Sequence, residues 1–446
     1  MKSFSTWVFS LLTMAVLLAG CDSFVSEVDD PIDVVTDDAL NTPEQVPFLI
    51  TGLQRSFSAA HDNFVLQGGG LSDELFFDRD LDGATFDTFE QIDDADIQFA
   101  NNSVDGTFNN NSVLRFSADD LVERVNSRIE FADDEQALKD EALYFGHFFG
   151  GVARYYFASH VGLDAGGGGG GIIDAGPFIP APEMYDQALA KLDQAASTSL
   201  GSEPLNQKYI NTLRARIYLL KGEFGNAASA ATSGLAQGDA SFQALYAVQE
   251  DNDFFNGAGP GRTQFAVPER YSTYDGAQVF DSPGDARDAD LSTIRIPLYK
   301  TADTGGGAAF YEQAKYLDRD TPMEFLNWEE NALMLAELAA LRGQDISGNP
   351  FGTTDPLELI NLVRTQYTGV GALPAGTTVD QDLIALEREK EFFVTGLRLL
   401  DQRRFGIDFI RQDLDLATGT ETTDPVAGAW RYLPVTQSER NQNENL

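Results

Sequence analysis

Apolar residues recur every three or four positions in several separated stretches of the chain, the spacing of helices that bury one face. The first candidate opens at Asn41 or Thr42, either of which can cap a helix with Pro43 at its first position. From Ser117, "SADDLVERVNSRIEF" and "DEQALKDEALYFGHFFGGVARYYFASHVG" carry the pattern through two consecutive helices, which predicts a hairpin. It resumes in "PEMYDQALAKLDQAAS" and in "KYINTLRARIYLLKGEFGNAASAATSGLAQG". In the latter, Ala215 and Tyr218 share a face of one helix, Gly222 ends it, and Ala227 and Ala231 share a face of the next. Small residues on facing positions let two helices approach closely, as in a tetratricopeptide unit. Further helices are predicted in "MEFLNWEENALMLAELAALRG", "DPLELINLVRTQY" and "DQDLIALEREKEFFVTGLRLLDQRRFG". Residues 62–112 and 239–322 are rich in Gly, Asp and aromatics without periodicity and read as irregular, while 407–446 reads as an extended, proline-bearing tail. The expected fold is therefore all-α dominated: tetratricopeptide-like repeats at about 117–238 and 323–406 carry long irregular insertions. Irregular segments of that length inside a compact domain are usually functional.

The N-terminus departs from this plan. Behind Lys2, an apolar run from Trp7 to Leu18 is too short to cross a membrane and ends in the small-residue site Leu18-Ala19-Gly20-Cys21. Cys21 is the single cysteine, so no intramolecular disulfide forms, and with only His61, His147 and His160 it cannot complete a zinc cluster. The pattern resembles a bacterial lipobox, which implies a signal peptide at 1–20, lipid on Cys21 as the first mature residue, and an acidic tether over 21–40. The charge balance is extreme, with 70 acidic against 30 basic residues and a net charge of −40. Nucleic acid and anionic headgroups repel such a surface. Lysine stands only at positions 2, 139, 191, 208, 221, 300, 315 and 390, and an excess of carboxylate with few lysines suits a protein kept hydrated in concentrated salt, a halophilic habit.

Catalytic and cofactor motifs are scarce. "DAGGGGGG" contains G-x-G-x-x-G only because it is glycine throughout, with no strand before it, and reads as a flexible loop. G-x-S-x-G, G-x-x-x-x-G-K-[ST] and H-E-x-x-H are absent, and His147 falls in an aromatic helix as a core residue. In "DRDLDGATFDTFE", Asp78, Asp80 and Asp82 precede Gly83 at calcium-loop spacing, but Phe89 stands where a bidentate Glu is needed, so the stretch is either a calcium site or an acidic loop. No other cofactor is indicated.

Several longer motifs occur together and in order. "IALEREKEFFVTGLRLLDQRRFG" follows I-x-x-E-R-x-x-E-x-x-x-E-G-x-R-x-x-D-x-x-R-x-G through Glu387, Arg388, Glu391, Gly396, Arg398, Asp401, Arg404 and Gly406, with Thr395 in place of an acid. "DPLELINLVRTQYTG" carries Ile360, Asn361, Val363 and Arg364; "LMLAELAALRG" carries Met334, Ala336 and Glu337; "YLPVTQSERNQNENL" carries Leu433, Pro434 and Glu439. These motifs resemble those of the SusD/RagB family of lipid-anchored nutrient-binding proteins over nearly the whole chain, with 41–446 as one SusD-like domain. The resemblance implies a surface-exposed outer-membrane lipoprotein without enzymatic activity. Such a protein binds an oligomeric nutrient, a glycan sooner than a peptide, and passes it to a SusC-like TonB-dependent barrel beneath it, acting as the barrel's lid. It also places the ligand on loops outside the repeats. Sugar recognition calls for flat aromatic faces edged by Asn, Asp and Arg. Two loop regions carry such mixtures: Asp73, Glu74, Phe76 and Phe77 in one, and Tyr271, Tyr274, Asp281 and Arg287 in the other. Either aromatic group can equally be a small core beneath a loop. Only Trp328 and Trp430 remain after the signal peptide, so no broad tryptophan platform is evident. Two rival readings stay open. One is a lipid-anchored glycoside hydrolase using paired carboxylates such as Glu387 and Glu391, although adjacent arginines favour structural pairing. The other is a tetratricopeptide-type scaffold that binds protein.

Overall fold

The computed structural model describes residues 36–81, 83–301 and 309–446; Cys21, the segment before it, most of the acidic stretch and Asp82 lie outside them. After a 3-10 turn at Pro43–Gln45, helix α1 runs over Val46–Leu71 with Pro47 in its first turn. It extends ten residues into the segment expected to be irregular. Gly68, Gly69 and Gly70 hide the helix from its sequence, since each glycine costs about 1 kcal/mol in a helix interior. Packing overrides that preference: a Cβ on Gly70 would lie 2.2 Å from the Phe265 ring, so only glycine admits this close approach. Helix α2 (Asn102–Ser127) likewise starts fifteen residues before the expected Ser117. Asn101 caps it, its side-chain oxygen accepting the N–H groups of Ser103 and Val104 at 3.1 Å. The buried stripe at Val104, Thr107, Phe108, Asn111, Leu114, Arg115 and Ala118 has helical spacing, but polar residues fill several of its positions.

Helices α3 (Gln136–His160), α4 (Ala181–Ala196), α5 (Pro204–Lys221) and α6 (Phe224–Ala231) follow, each packed on its predecessor in sequence. Ala215, Ala227 and Ala231 are fully buried between α5 and α6, and Gly222 takes the left-handed conformation (φ 75°) that ends α5. The tetratricopeptide-like pairing is thus present. Helices α7 (Trp328–Arg342), α8 (Pro356–Arg364), α9 (Gln381–Glu391) and α10 (Arg398–Phe405) form the second half. The long motif expected as one helix is two. Val394 (φ 49°) and Gly396 (φ 82°) turn the chain between α9 and α10, with Gly396 set against Val65 of α1.

The long irregular segment between the halves has modest structure of its own. Strand β1 (Phe242–Ala244) pairs antiparallel with the later β5 (Met323–Leu326), closing the segment at its base. Within it, β2 (Ala277–Phe280) runs parallel to β3 (Ile296–Thr301), which pairs antiparallel with β4 (Phe310–Gln313). The tail expected to be extended is a hairpin of β6 (Ile410–Asp415) and β7 (Thr420–Pro425) followed by a short helix at Gln437–Gln442. Among the described residues no helix is long and apolar enough to cross a membrane.

Buried ion pairs join these parts. On α5, Arg216 donates to Glu330 of α7 at 2.6 Å, with side chains 5% and 2% exposed, and stacks on Tyr155 and Phe325. Three carboxylates of α9 each meet a cation from elsewhere: Glu387 and Glu391 bind Arg295 at 2.8 and 2.9 Å, Glu387 also binds Arg364 of α8 at 2.6 Å, and Glu389 binds Arg270 at 3.0 Å. On α10, Arg398 forks onto Asp73 at 2.6 and 2.8 Å, while Arg404 reaches Glu337 of α7. Removing one partner strands a buried charge. We expect Arg295→Met, which leaves Glu391 without its ion-pair partner while Glu387 keeps Arg364, to cost about 3–5 kcal/mol in chemical denaturation. Adding Glu391→Gln recovers part of that loss; equal stability of both variants contradicts the arrangement.

Candidate ligand-binding site

The first half of the molecule frames a cleft of about 1010 Å³. Four helices and the chain on either side of β1 contribute to it. Helix α1 supplies Gln54, Arg55, Ser58, Asp62 and Asn63; α2 supplies Asn110; α3 supplies Glu141, Tyr144 and Phe145; α5 supplies Asn206 and Tyr209. The opposite wall is Phe242 and Gln243 of β1 and the following residues Tyr246, Gln249, Glu250, Asp251 and Asp253. That wall is fixed to α1: Tyr246 donates its hydroxyl to the Ser58 carbonyl at 3.0 Å, and Ser58 Oγ accepts the Leu245 N–H at 3.1 Å. Tyr209 donates to the Ala240 carbonyl at 3.0 Å, and Arg55 bridges to Glu250 at 2.6 Å. The cleft therefore combines aromatic faces with amide and carboxylate edges, and its size suits a few sugar rings or a short peptide.

Its floor holds two carboxyl groups close together. The Asn63 amide donates to both Asp62 and Asp253, the Asp253 N–H donates to Asp62 at 3.1 Å, and Asn110 donates to Asn63 at 3.0 Å. Asp62 is 3% exposed. Burial, and then the neighbouring Asp253, push its carboxyl well above the usual range; burial and Asp251 raise Asp253 to about 6. The floor therefore holds a proton more readily than separate, solvated carboxyls do.

Most of the residues expected to contact ligand lie elsewhere and serve the scaffold. Phe76, Phe77 and Tyr271 are at most 1% exposed and belong to the core beneath the loops. Asp73 is buried, and although burial alone raises a carboxyl, Arg270 and Arg398 hold it below the usual range. Glu74, also buried, accepts the Val394 N–H at 2.8 Å, and burial pushes it up to about 8. Tyr274 is half-buried, with its hydroxyl on Glu389 at 3.1 Å. The turn after α1 folds Asp73 and Glu74 onto α10 and the α9–α10 turn, and Tyr274 alone of the six keeps partial exposure. Arg287 lies at the surface, paired with Asp318 at 2.8 Å. Asp281 lines a separate hollow of about 560 Å³ beside Arg262, Lys300 and Glu312. Of the calcium-loop candidates, Asp78 spends its carboxylate on the N–H groups of Asp80 and Leu414, at 2.9 Å each. Asp82 lies outside the described residues. Among those described, no three His, Cys, Asp or Glu side chains gather to hold a metal. Glu387 and Glu391, 1% and 2% exposed, are sealed against Arg295. His147 is half-buried, and burial lowers its ring pKa to about 4.

The cleft residues were missed because α1 and α2 were only partly legible. The available signal is polar residues at buried helical positions, Asp62 on the inner face of α1 and Asn111 on α2, beside the half-buried Asn110 that lines the cleft.

No protein-family model matches the chain, and no curated protein matches it by sequence. Solved structures do match. A SusD superfamily protein from Bacteroides vulgatus is 17% identical with a TM-score of 0.64, over 89% of this chain and 96% of that one. A laminarin-binding SusD-like protein is 13% identical with a TM-score of 0.56, over 82% and 91%. Surface glycan-binding protein A from Bacteroides fluxus is 15% identical with a TM-score of 0.55, over 81% and 89%.

The paired carboxyls set a pH dependence. Because their folded pKa values are raised, their contribution to stability is complete below the unfolded value of about 4 and is lost as pH rises through the raised values, about 6 for Asp253. Asp62→Asn removes that loss, so its melting temperature relative to the unmodified protein is predicted to be higher at pH 7.5 than at pH 4.5. A difference independent of pH contradicts the raised carboxyls.

Proposed function

From the premise that this chain has the SusD-superfamily fold, we propose that it is a cell-surface saccharide-binding protein that captures an oligosaccharide in the cleft between α1, α3, α5 and β1. The observation that carries this reading is the cleft itself, where Phe145, Tyr209 and Tyr246 offer ring faces and Asn63, Asn110, Asn206 and Gln243 offer amide edges. Sugar rings present an apolar face and a hydroxyl rim, and this lining complements both. Two similar structures are named for glycan binding, a laminarin-binding protein and a surface glycan-binding protein, which supports a saccharide over a peptide.

In this reading Cys21 carries the lipid that holds the protein to the outer membrane, and the acidic surface reflects a salt-rich setting. The protein delivers its ligand to a SusC-like TonB-dependent barrel, over which it closes as a lid. The lipid confines it to the membrane plane and raises its effective concentration at such a partner. The protein does no chemistry on its ligand: the carboxylate pair proposed for hydrolysis, Glu387 and Glu391, is occupied by Arg295 and buried away from the cleft.

Titration calorimetry against a panel of neutral oligosaccharides tests this. At least one is expected to bind with no reducing ends released, and Phe145→Ala is expected to weaken it about tenfold, the loss of roughly one stacked ring. Turnover of the bound sugar supports the hydrolase instead. Gentle membrane extraction and capture through a C-terminal tag, followed by mass spectrometry, is expected to bring down a large barrel protein in near-equal amount; its absence refutes the lid.

A further inference from the structure

The charge lining the cleft is lopsided in a way that bears on which saccharide it takes. Five carboxylic side chains, Asp62, Glu141, Glu250, Asp251 and Asp253, face a single lining cation, Arg55. Arg55 is already committed to Glu250 at 2.6 Å, and Asp251 has Arg319 from outside the cleft at 3.9 Å. Asp62, Asp253 and Glu141 are left with no ion-pair partner among the described residues. Asp62, 3% exposed and raised by its burial, holds its proton, so the negative charge offered to a ligand is that of Asp253 and Glu141. A second observation lies in the same cleft. Tyr144 is 1% exposed, and its hydroxyl has no hydrogen-bond partner. Burying a hydroxyl without a partner is unfavourable, and a ligand group within hydrogen-bond reach relieves it.

We propose, building on the saccharide reading above, that the cleft selects an oligosaccharide bearing free amino groups, whose ammonium is held by Asp253 and Glu141 while the rings stack on Phe145, Tyr209 and Tyr246. A primary ammonium supplies three donors and one positive charge, and these carboxylates lack a charge of that sign. The aromatic faces around it favour a cation as well. A hard divalent ion is poorly served here, since the oxygens of Asp62 and Asp253 already accept from Asn63 and the Asp253 N–H, and no three ligating side chains converge. Anionic sugars are repelled by the same lining.

The test is calorimetry on the full chain with a β-1,4-linked glucosamine hexamer, its fully N-acetylated counterpart, a hexuronate oligomer and a trilysine peptide. Acetylation removes the charge and keeps the ring, so the glucosamine hexamer is expected to bind at least about tenfold more tightly than the acetylated one, with the preference shrinking in high salt. Asp253→Asn is expected to shrink that ratio severalfold. Glu141→Gln, an exposed position on α3 where a folding defect is not expected, does the same to a smaller degree. Equal binding of the two hexamers, or a ratio unchanged in both variants, overturns the amino-sugar assignment and leaves the saccharide reading standing. Binding of trilysine with none of the sugars assigns the cleft to basic peptide and overturns both, as does silence from every saccharide.

Discussion

The buried ion pairs around α9 are the constraint on which the rest of the structure depends. Three carboxylates on one short helix, Glu387, Glu389 and Glu391, draw in three arginines from two separate places: Arg270 and Arg295 from the irregular segment and Arg364 from α8. A buried ion pair adds little net stability over a well-packed apolar core, but a misplaced one is costly, so such a network acts mainly by excluding wrong arrangements. It fastens a segment with little secondary structure of its own to the second helical half. The long insertion has a defined path because its charges have defined destinations.

The cleft inherits its shape from the same constraint through α1. At its C-terminal end this helix is locked to α10 by Asp73 on Arg398 and to the α9–α10 turn by Glu74 on the Val394 N–H. Gly70 and Gly396 permit the two close contacts that make this possible. The N-terminal half of α1 is then held at a fixed distance from α3 and α5 and forms one wall of the cleft. On the other side, Arg216 joins α5 to Glu330 of α7, and β1 pairs with β5 just ahead of α7. The wall built from residues 242–253 is thus anchored at both ends. A binding surface made partly of irregular chain is preorganised because rigid helices and buried charges position it, which lowers the ordering cost of taking up a ligand.

The repeats and the second helical half were legible in sequence because α3, α5 and α7 bury apolar residues at regular spacing, and Gly222 and Gly343 end their helices in the left-handed conformation. The resemblance of the closing motifs to SusD/RagB sequences pointed to the fold that the solved structures share. Two things were not legible. Glycine and asparagine in α1 and α2 weaken local helix preference, and only contacts distant in sequence, such as Phe265 against Gly70, restore it. The residues expected to contact ligand show a related effect: Asp73, Glu74, Phe76, Phe77 and Tyr271 have the composition of a sugar site, yet in the fold their partners are Arg398, the Val394 N–H and the core. Composition reports which groups are present, whereas burial decides whether they face a ligand. Asp62 is the opposite case, a polar group on a buried helix face beside the half-buried Asn63 and Asn110, in stretches whose glycine and asparagine conceal the helices in the sequence.

A crystal structure of the protein with a bound oligosaccharide tests the central claim most directly. The account predicts sugar density in the cleft, with a ring against Phe145, Tyr209 or Tyr246 and a polar group within hydrogen-bond reach of the Tyr144 hydroxyl or Asp253. Sugar seated instead in the hollow beside Asp281, Arg262 and Lys300, with the cleft holding only water, would contradict it and return recognition to the irregular lobe.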